Sequence, residues 1–257
     1  MSRVIKLTIA YDGSRFHGWQ RQAGVRTVQE EVETVARRVL RDPVDVVGAS
    51  RTDAGVHAAG QVAHVVTSTP MPTDRARRAL ADRLPDDVTI VHAVDVPRGF
   101  HASRDALGKL YRYRIAADGR KPVERLRQNH VWRLTVPLDL ARMRVAARRM
   151  VGTHDFAGFA NAGSPRETTV RTVRRVTIRR VGLECWIDVE GDGFLYNQIR
   201  IMVGTLVEIG RGHWPTERVD EILETRDRRR AGPTAPPEGL CLQWIRYPAW
   251  LESANDG

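Results

Sequence analysis

VDVVGASRTDAGVHAAGQVAHVVT, residues 44–67, is the stretch from which the fold class can be read. Its ends, VDVVGAS and GQVAHVVT, are rich in valine and read as two strands. SRTDAGVHAA between them is too small and polar for a regular element and reads as a loop. Upstream, residues 3 to 10 alternate as a strand and Asp12-Gly13 marks a turn before FHGWQRQ. Thr27 is placed as an N-cap with Glu30 three residues on, and Val28, Val32, Val35, Val39 and Leu40 follow at helical spacing, which predicts a helix over 28–40 stopped by Asp42-Pro43. Downstream, a helix fits 73–84, ended by Leu84-Pro85, and VTIVHAVDV is a further strand.

The second half repeats this mixture. KLYRYRIA reads as a strand with Tyr111, Tyr113 and Ile115 on one face and Arg112 and Arg114 on the other. Leu140, Met143, Ala147 and Met150 define a helix, strands follow near 170–180 and 184–190, and a long helix runs from about Tyr196 to Gly210. A helix at 217–225 leads through the charged, proline-rich TRDRRRAGPTAPPEG to a closing strand, LCLQWIRY. The expected fold class is α+β in two lobes: residues 1–107, carrying the RTDAGVHA loop, and residues 108–250, with a frayed tail at 251–257.

Lys and Arg number 41 against 31 Asp and Glu, a formal charge of +10, so a polyanionic partner is the first expectation. Only Lys6, Lys109 and Lys121 are lysines; the rest is guanidinium, which forks onto phosphates and stacks on bases. An arginine-rich codon usage would produce the same count, so composition suggests nucleic acid without deciding it. Cys185 and Cys241 are far apart, and His64, His92, His101, His130, His154 and His213 are scattered without ligand spacing, which argues against zinc, metal catalysis or a disulfide framework. No signal-peptide stretch opens the chain and no run approaches ~20 apolar residues, so a soluble, cytoplasmic protein with no membrane partner is expected.

Asp53 stands among small residues beside Arg51 and Thr52. Alone, Asp-Ala-Gly reads as a turn. An arginine two positions earlier can hold a carboxylate ionised, and Gly55 lets the backbone approach a bulky ligand, as a nucleophilic or basic carboxylate requires. Arg51 fits a phosphate clamp or a surface ion pair equally well. Tyr111 on a basic strand offers a stacking face and a proton-exchanging hydroxyl, against the plainer reading of a core tyrosine. Arg200 has Val203, Gly204 and Val207 at helical spacing, so its charge needs a partner; a carboxylate such as Asp53 would serve, as would an ordinary ion pair or a snorkelling side chain. His17, Trp19 and Gln20, with Phe16, mix aromatic faces with polar donors and are candidate RNA contacts, although Trp19 could instead plug the core.

FHGWQRQ (16–22), TVQEEVE (27–33), SRTDAGVHAAGQVAH (50–64), FHASRDALGKLYRYRI (100–115), GTHDFAGFAN (152–161) and FLYNQIRIMVGTLVEIG (194–210) together resemble the tRNA pseudouridine synthase A family, in order and spacing, and the likeness continues to EGLCLQWIRYP. The resemblance implies an isomerase without cofactor or metal, acting on uridines 38, 39 and 40 of the tRNA anticodon stem-loop as a homodimer. It implies two ferredoxin-like or RRM-like lobes joining antiparallel sheets into one central sheet with an active-site cleft. Carried onto this sequence, Asp53 is the catalytic aspartate, Tyr111 the active-site tyrosine, Arg200 the arginine paired with the aspartate, and Arg51 the arginine that displaces the target base. Ser50 stands where many relatives have Gly, Lys109 where Arg is frequent, and Cys241 where Tyr is frequent; Gln198, Ile199 and Ile201 alter the usual surroundings of Arg200. A non-catalytic RNA-binding protein would have no need of Asp53, Tyr111 and Arg200 together. A nucleoside hydrolase would usually need a second carboxylate or a metal.

Overall fold

The structure, a computed structural model, describes residues 2–117, 130–161 and 168–252. It divides into two compact units: one runs up to Gly108 and takes in the chain from Cys241 on, and the other is Lys109–Leu240. A lobe of 108–250 was expected, whereas the chain from Cys241 falls with the first unit, where Cys241 and Leu242 pair with His57 and Ala58.

The first unit contains β1 (Arg3–Tyr11), α1 (Val28–Leu40), β2 (Val47–Gly48), β3 (His57–Thr67), α2 (Thr73–Ala81), β4 (Val88–Val96) and, from the end of the chain, β10 (Leu240–Arg246) and α6 (Ala249–Glu252). The sheet order is β4-β1-β3-β10, with β1 antiparallel to both β4 and β3, β10 parallel to β3, and β2 antiparallel to the far half of β3. Ile5, Leu7, Ile9 and Tyr11 alternate inward along β1. On α1 the valines predicted to face inward are all buried. The capping box expected at Thr27 and Glu30 is not formed, because the Thr27 side chain makes no cap bond. Instead the Val28 and Gln29 amides donate to the carbonyls of Gly18 (3.2 Å) and Trp19 (3.0 Å), which ties the FHGW segment to the start of the helix.

VDVVGAS shrinks to the two residues of β2 because α1 takes over its hydrogen bonds. The Val46 amide donates to Glu33 Oε2 (3.2 Å), and the Val46 carbonyl accepts from Gln29 Nε2 (2.9 Å). β3 is correspondingly longer than GQVAHVVT and takes in His57, Ala58 and Ala59. The tail expected to fray from 251 is helical through 252, with Leu251 buried; residues 253–257 lie outside the described ones.

The second unit contains β5 (Gly108–Ala116), β6 (Trp132–Arg133), α3 (Leu140–Arg149), β7 (Gly152–Asp155), β8 (Val170–Val181), β9 (Glu184–Gly191), α4 (Gln198–Gly210) and α5 (Arg218–Thr225). Its order is β5-β9-β8-β7 with antiparallel neighbours throughout, and β6 is added in parallel on β5. Tyr111, Tyr113 and Ile115 are buried as their alternation requires. Across the sheet, Arg112 and Arg114 make forked bonds to Asp188 (2.7 and 2.9 Å) and Glu184 (both 2.8 Å), flanking the Trp186 ring. Asp139, unmarked in the sequence reading, caps α3 by accepting from the Ala141 and Arg142 amides. The short β6 and β7 carry too few residues for periodicity to reveal them. The expected α+β class holds, with mostly antiparallel pairing. Among the described residues no helix is long and apolar enough to cross a membrane.

Candidate active site

The chain between β2 and β3 holds Arg51, Thr52 and Asp53, and its backbone is anchored at nearly every step. On the β3 side, the Ala49 amide donates to Val62 O (2.7 Å), and the buried Gln61 side chain donates from Nε2 to Ser50 O (2.6 Å). On the other side, the Tyr11 hydroxyl and Thr52 Oγ1 share a buried hydrogen bond of 2.8 Å, and the Thr52 carbonyl accepts from the Trp19 amide (3.1 Å). The Gly55 amide donates to Phe16 O (3.2 Å), and Val56 N to Asp53 O (3.1 Å) closes a turn in which Gly55 takes a φ of +79°. Gly18 completes the contact: its φ is +89°, and a Cβ there would lie 2.5 Å from Thr52 O, so only glycine lets the two loops meet.

This anchoring fixes the backbone on both sides of Asp53 while its side chain stays half-buried; Arg51 is exposed. A carboxylate held this way loses little freedom when it engages a substrate. His57, at the start of β3, accepts from the Gly13 amide through Nδ1 (3.0 Å), which braces the turn after β1 against the same loop.

The other candidates of this unit part company. His17 is exposed, with its amide on Arg26 O (2.9 Å). Gln20 is half-buried and donates from Nε2 to Gln29 Oε1 (2.7 Å). Trp19 is only 1% exposed and lies tilted against Tyr11 with ring centroids 6.2 Å apart. That corrects its candidacy as an RNA contact: the indole is core, the alternative its sequence setting allowed. Sequence reading missed Tyr11, Thr52 and Gln61 as the groups that hold the Asp53 loop. A glutamine at the head of the valine-rich GQVAHVVT was the available signal, since a buried amide needs partners close by.

In the second unit, Tyr111 is buried on β5 with its ring set edge-on to Phe194 (centroids 5.6 Å, interplanar angle 89°). Arg200 occupies the first turn of α4. Its Nε donates to Ala235 O (2.7 Å) and its Nη1 to Asn197 Oδ1 (2.8 Å), where Asn197 is the left-handed N-cap residue of the helix (φ 60°). These two oxygens orient the guanidinium. The apolar surroundings expected from Val203, Gly204 and Val207 are present, all three being buried.

Each of the three candidates is thus placed within its own unit: Asp53 on a braced loop, Tyr111 buried on β5 and Arg200 at the start of α4. The family model described as tRNA pseudouridine synthase matches residues 7–103 and 146–248. The chain is 44% identical over 245 residues to a tRNA pseudouridine synthase A of Acetivibrio thermocellus, covering 95% of this chain and 100% of that one. It is 46% identical over 247 residues to that of Syntrophotalea carbinolica (95% and 96% covered) and 44% identical over 237 residues to that of Halalkalibacterium halodurans (92% and 89% covered). The chain belongs to the tRNA pseudouridine synthase A family.

Proposed function

We propose that Asp53 is the catalytic carboxylate of this enzyme and that Tyr111, Arg51 and Arg200 serve it. The chain isomerises uridine to pseudouridine at positions 38, 39 and 40 of the tRNA anticodon stem-loop. The observation that carries the assignment is that Asp53 is the one carboxylate in RTDAGVHA, and that this block's backbone is tied down on both sides of it.

The reaction breaks the bond from ribose C1′ to uracil N1, turns the base, joins C1′ to C5 and releases the C5 proton while N1 takes one up, so composition is unchanged. Asp53 acts at the ribose, either attacking it or removing a proton beside the anomeric carbon. Tyr111 stacks on the base and helps take the C5 proton. Arg200, oriented by Ala235 O and Asn197 Oδ1, is the arginine that the resemblance pairs with the aspartate, and it supplies positive charge to the reaction. Exposed Arg51 displaces the target base from its stack, which costs a few kcal/mol that phosphate contacts offset. His17 and Gln20 contact RNA near the site. The resemblance also supports ferredoxin-like lobes, homodimeric assembly and a cytoplasmic location.

The test is tritium release from tRNA labelled at uridine C5. Wild-type protein is expected to release tritium, and Asp53→Asn to release none while binding tRNA within about two-fold of wild type, because the substitution keeps the size of the side chain. Turnover by Asp53→Asn, or loss of tRNA binding along with turnover, would sink the assignment.

A further inference from the structure

The segment from Ala231 to Pro236, between α5 and β10, has no assigned part in the reaction, yet its closest partner is the helix that carries Arg200. Gly204 lies one turn beyond Arg200 on α4, and a Cβ built there would lie 1.9 Å from the carbonyl oxygen of Pro233. Alanine is the better helix former, so glycine at this position answers to the segment lying on the helix and not to the helix itself. The next residue, Thr205, is fully buried; its Oγ1 donates to Ile201 O (2.9 Å) and accepts from the Gly232 amide (2.9 Å). The segment then reaches Arg200 directly. The Ala235 amide donates to the Arg200 carbonyl (3.1 Å), and the Ala235 carbonyl accepts from Arg200 Nε (2.7 Å). Arg228 braces it from outside through Gly232 O (3.0 Å) and Thr234 Oγ1 (3.2 Å), and Tyr113 donates its hydroxyl to Pro236 O (2.7 Å).

We propose that Gly204 and Thr205 are positioning residues for the isomerisation: they seat the Ala231–Pro236 segment so that the Ala235 carbonyl fixes the direction of the Arg200 guanidinium. This rests on the assignment of Arg200 to the active site. A guanidinium on a flexible stem has many rotamers, and an Nε–H bonded to a backbone carbonyl restricts it to few, which is the kind of orientation that raises a rate without tightening binding.

The experiment measures single-turnover tritium release and tRNA affinity for Thr205→Val, Thr205→Ser, Gly204→Ala and Arg200→Ala, with a melting temperature for each. Thr205→Val keeps the shape but loses the acceptor for Gly232. It is expected to lower the single-turnover rate about ten-fold or more, with tRNA affinity unchanged. Thr205→Ser restores the hydroxyl and is expected to recover the rate to within about two-fold. Gly204→Ala is expected to slow the step at least as much, since Pro233 must move. In the Arg200→Ala background, Thr205→Val should cause no further loss, because the group it acts through is gone. A Thr205→Val enzyme that melts lower but keeps its rate, or one that loses affinity at an unchanged rate, overturns the proposal. Full activity of Arg200→Ala would overturn the Arg200 assignment itself, an outcome distinct from failure of the Thr205 variants alone.

Discussion

Trp19 carries the cues of a base-stacking residue, an aromatic in a polar, glycine-containing loop, yet its indole is buried against Tyr11 while its amide and carbonyl bond Thr52 and Gln29. Its packing therefore supports both the Asp53 loop and the start of α1. Trp19→Ala is expected to destabilise the protein by about 3–5 kcal/mol, as large-to-small changes at buried aromatics do, and urea unfolding followed by circular dichroism reads it. A loss under about 1 kcal/mol would mean that the indole is not a packing element. At this scale Asp53, Tyr111 and Arg200 stand out in the sequence as candidates by residue type and motif. The partners that orient Arg200 were not, because Ala235 is 35 residues away and contributes a backbone carbonyl, which no residue name encodes.

Elements driven by their own periodicity were read with little error: α1 spans 28–40 and β4 spans Val88–Val96, as their valine spacing indicates. Elements decided by a neighbour were not, as VDVVGAS shows, where Glu33 and Gln29 of α1 compete for the backbone of Val46. β3 also carries a pH-sensitive contact. His64 Nδ1 accepts from the Ala102 amide (3.2 Å), and its ring lies edge-on to Phe100 and 5.1 Å from His101. Burial, and then the neighbouring His101, lower its pKa below the ordinary 6.5. The unfolded chain therefore binds a proton more readily than the folded one, so this contribution to stability is complete above 6.5 and is lost as pH falls from there through the folded pKa. The melting temperature is expected to drop as pH is lowered through the range below 6.5, and His64→Asn to flatten that dependence. An unchanged slope in the variant would assign the effect to other groups.

For the whole molecule, the formal charge of +10 is carried almost entirely by arginine. Binding to tRNA is expected to release counterions and to weaken by on the order of 10² between about 50 and 200 mM salt, the loss given by roughly three or four neutralised phosphates. Filter binding across that range measures it, and a flat response would show that base contacts and not phosphates dominate. The division of the chain is the feature that linear reading could not supply. A cut near 108 follows from the change of motif, but the return of β10 to pair with β3 joins residues 57 and 241, and a strand's partner is set by which edge is open, not by its own sequence. The sequence by itself determined the α+β class, most elements and the family, and it supplied the candidates proposed as reacting groups, because these depend on local periodicity and on side-chain chemistry. Only the tertiary structure decided that Trp19 is core, that β10 belongs to the first unit, and that backbone groups from the FHGW and Ala231–Pro236 segments brace Asp53 and Arg200. Those are meetings between residues distant in the chain, and their energies exist only once the chain has folded.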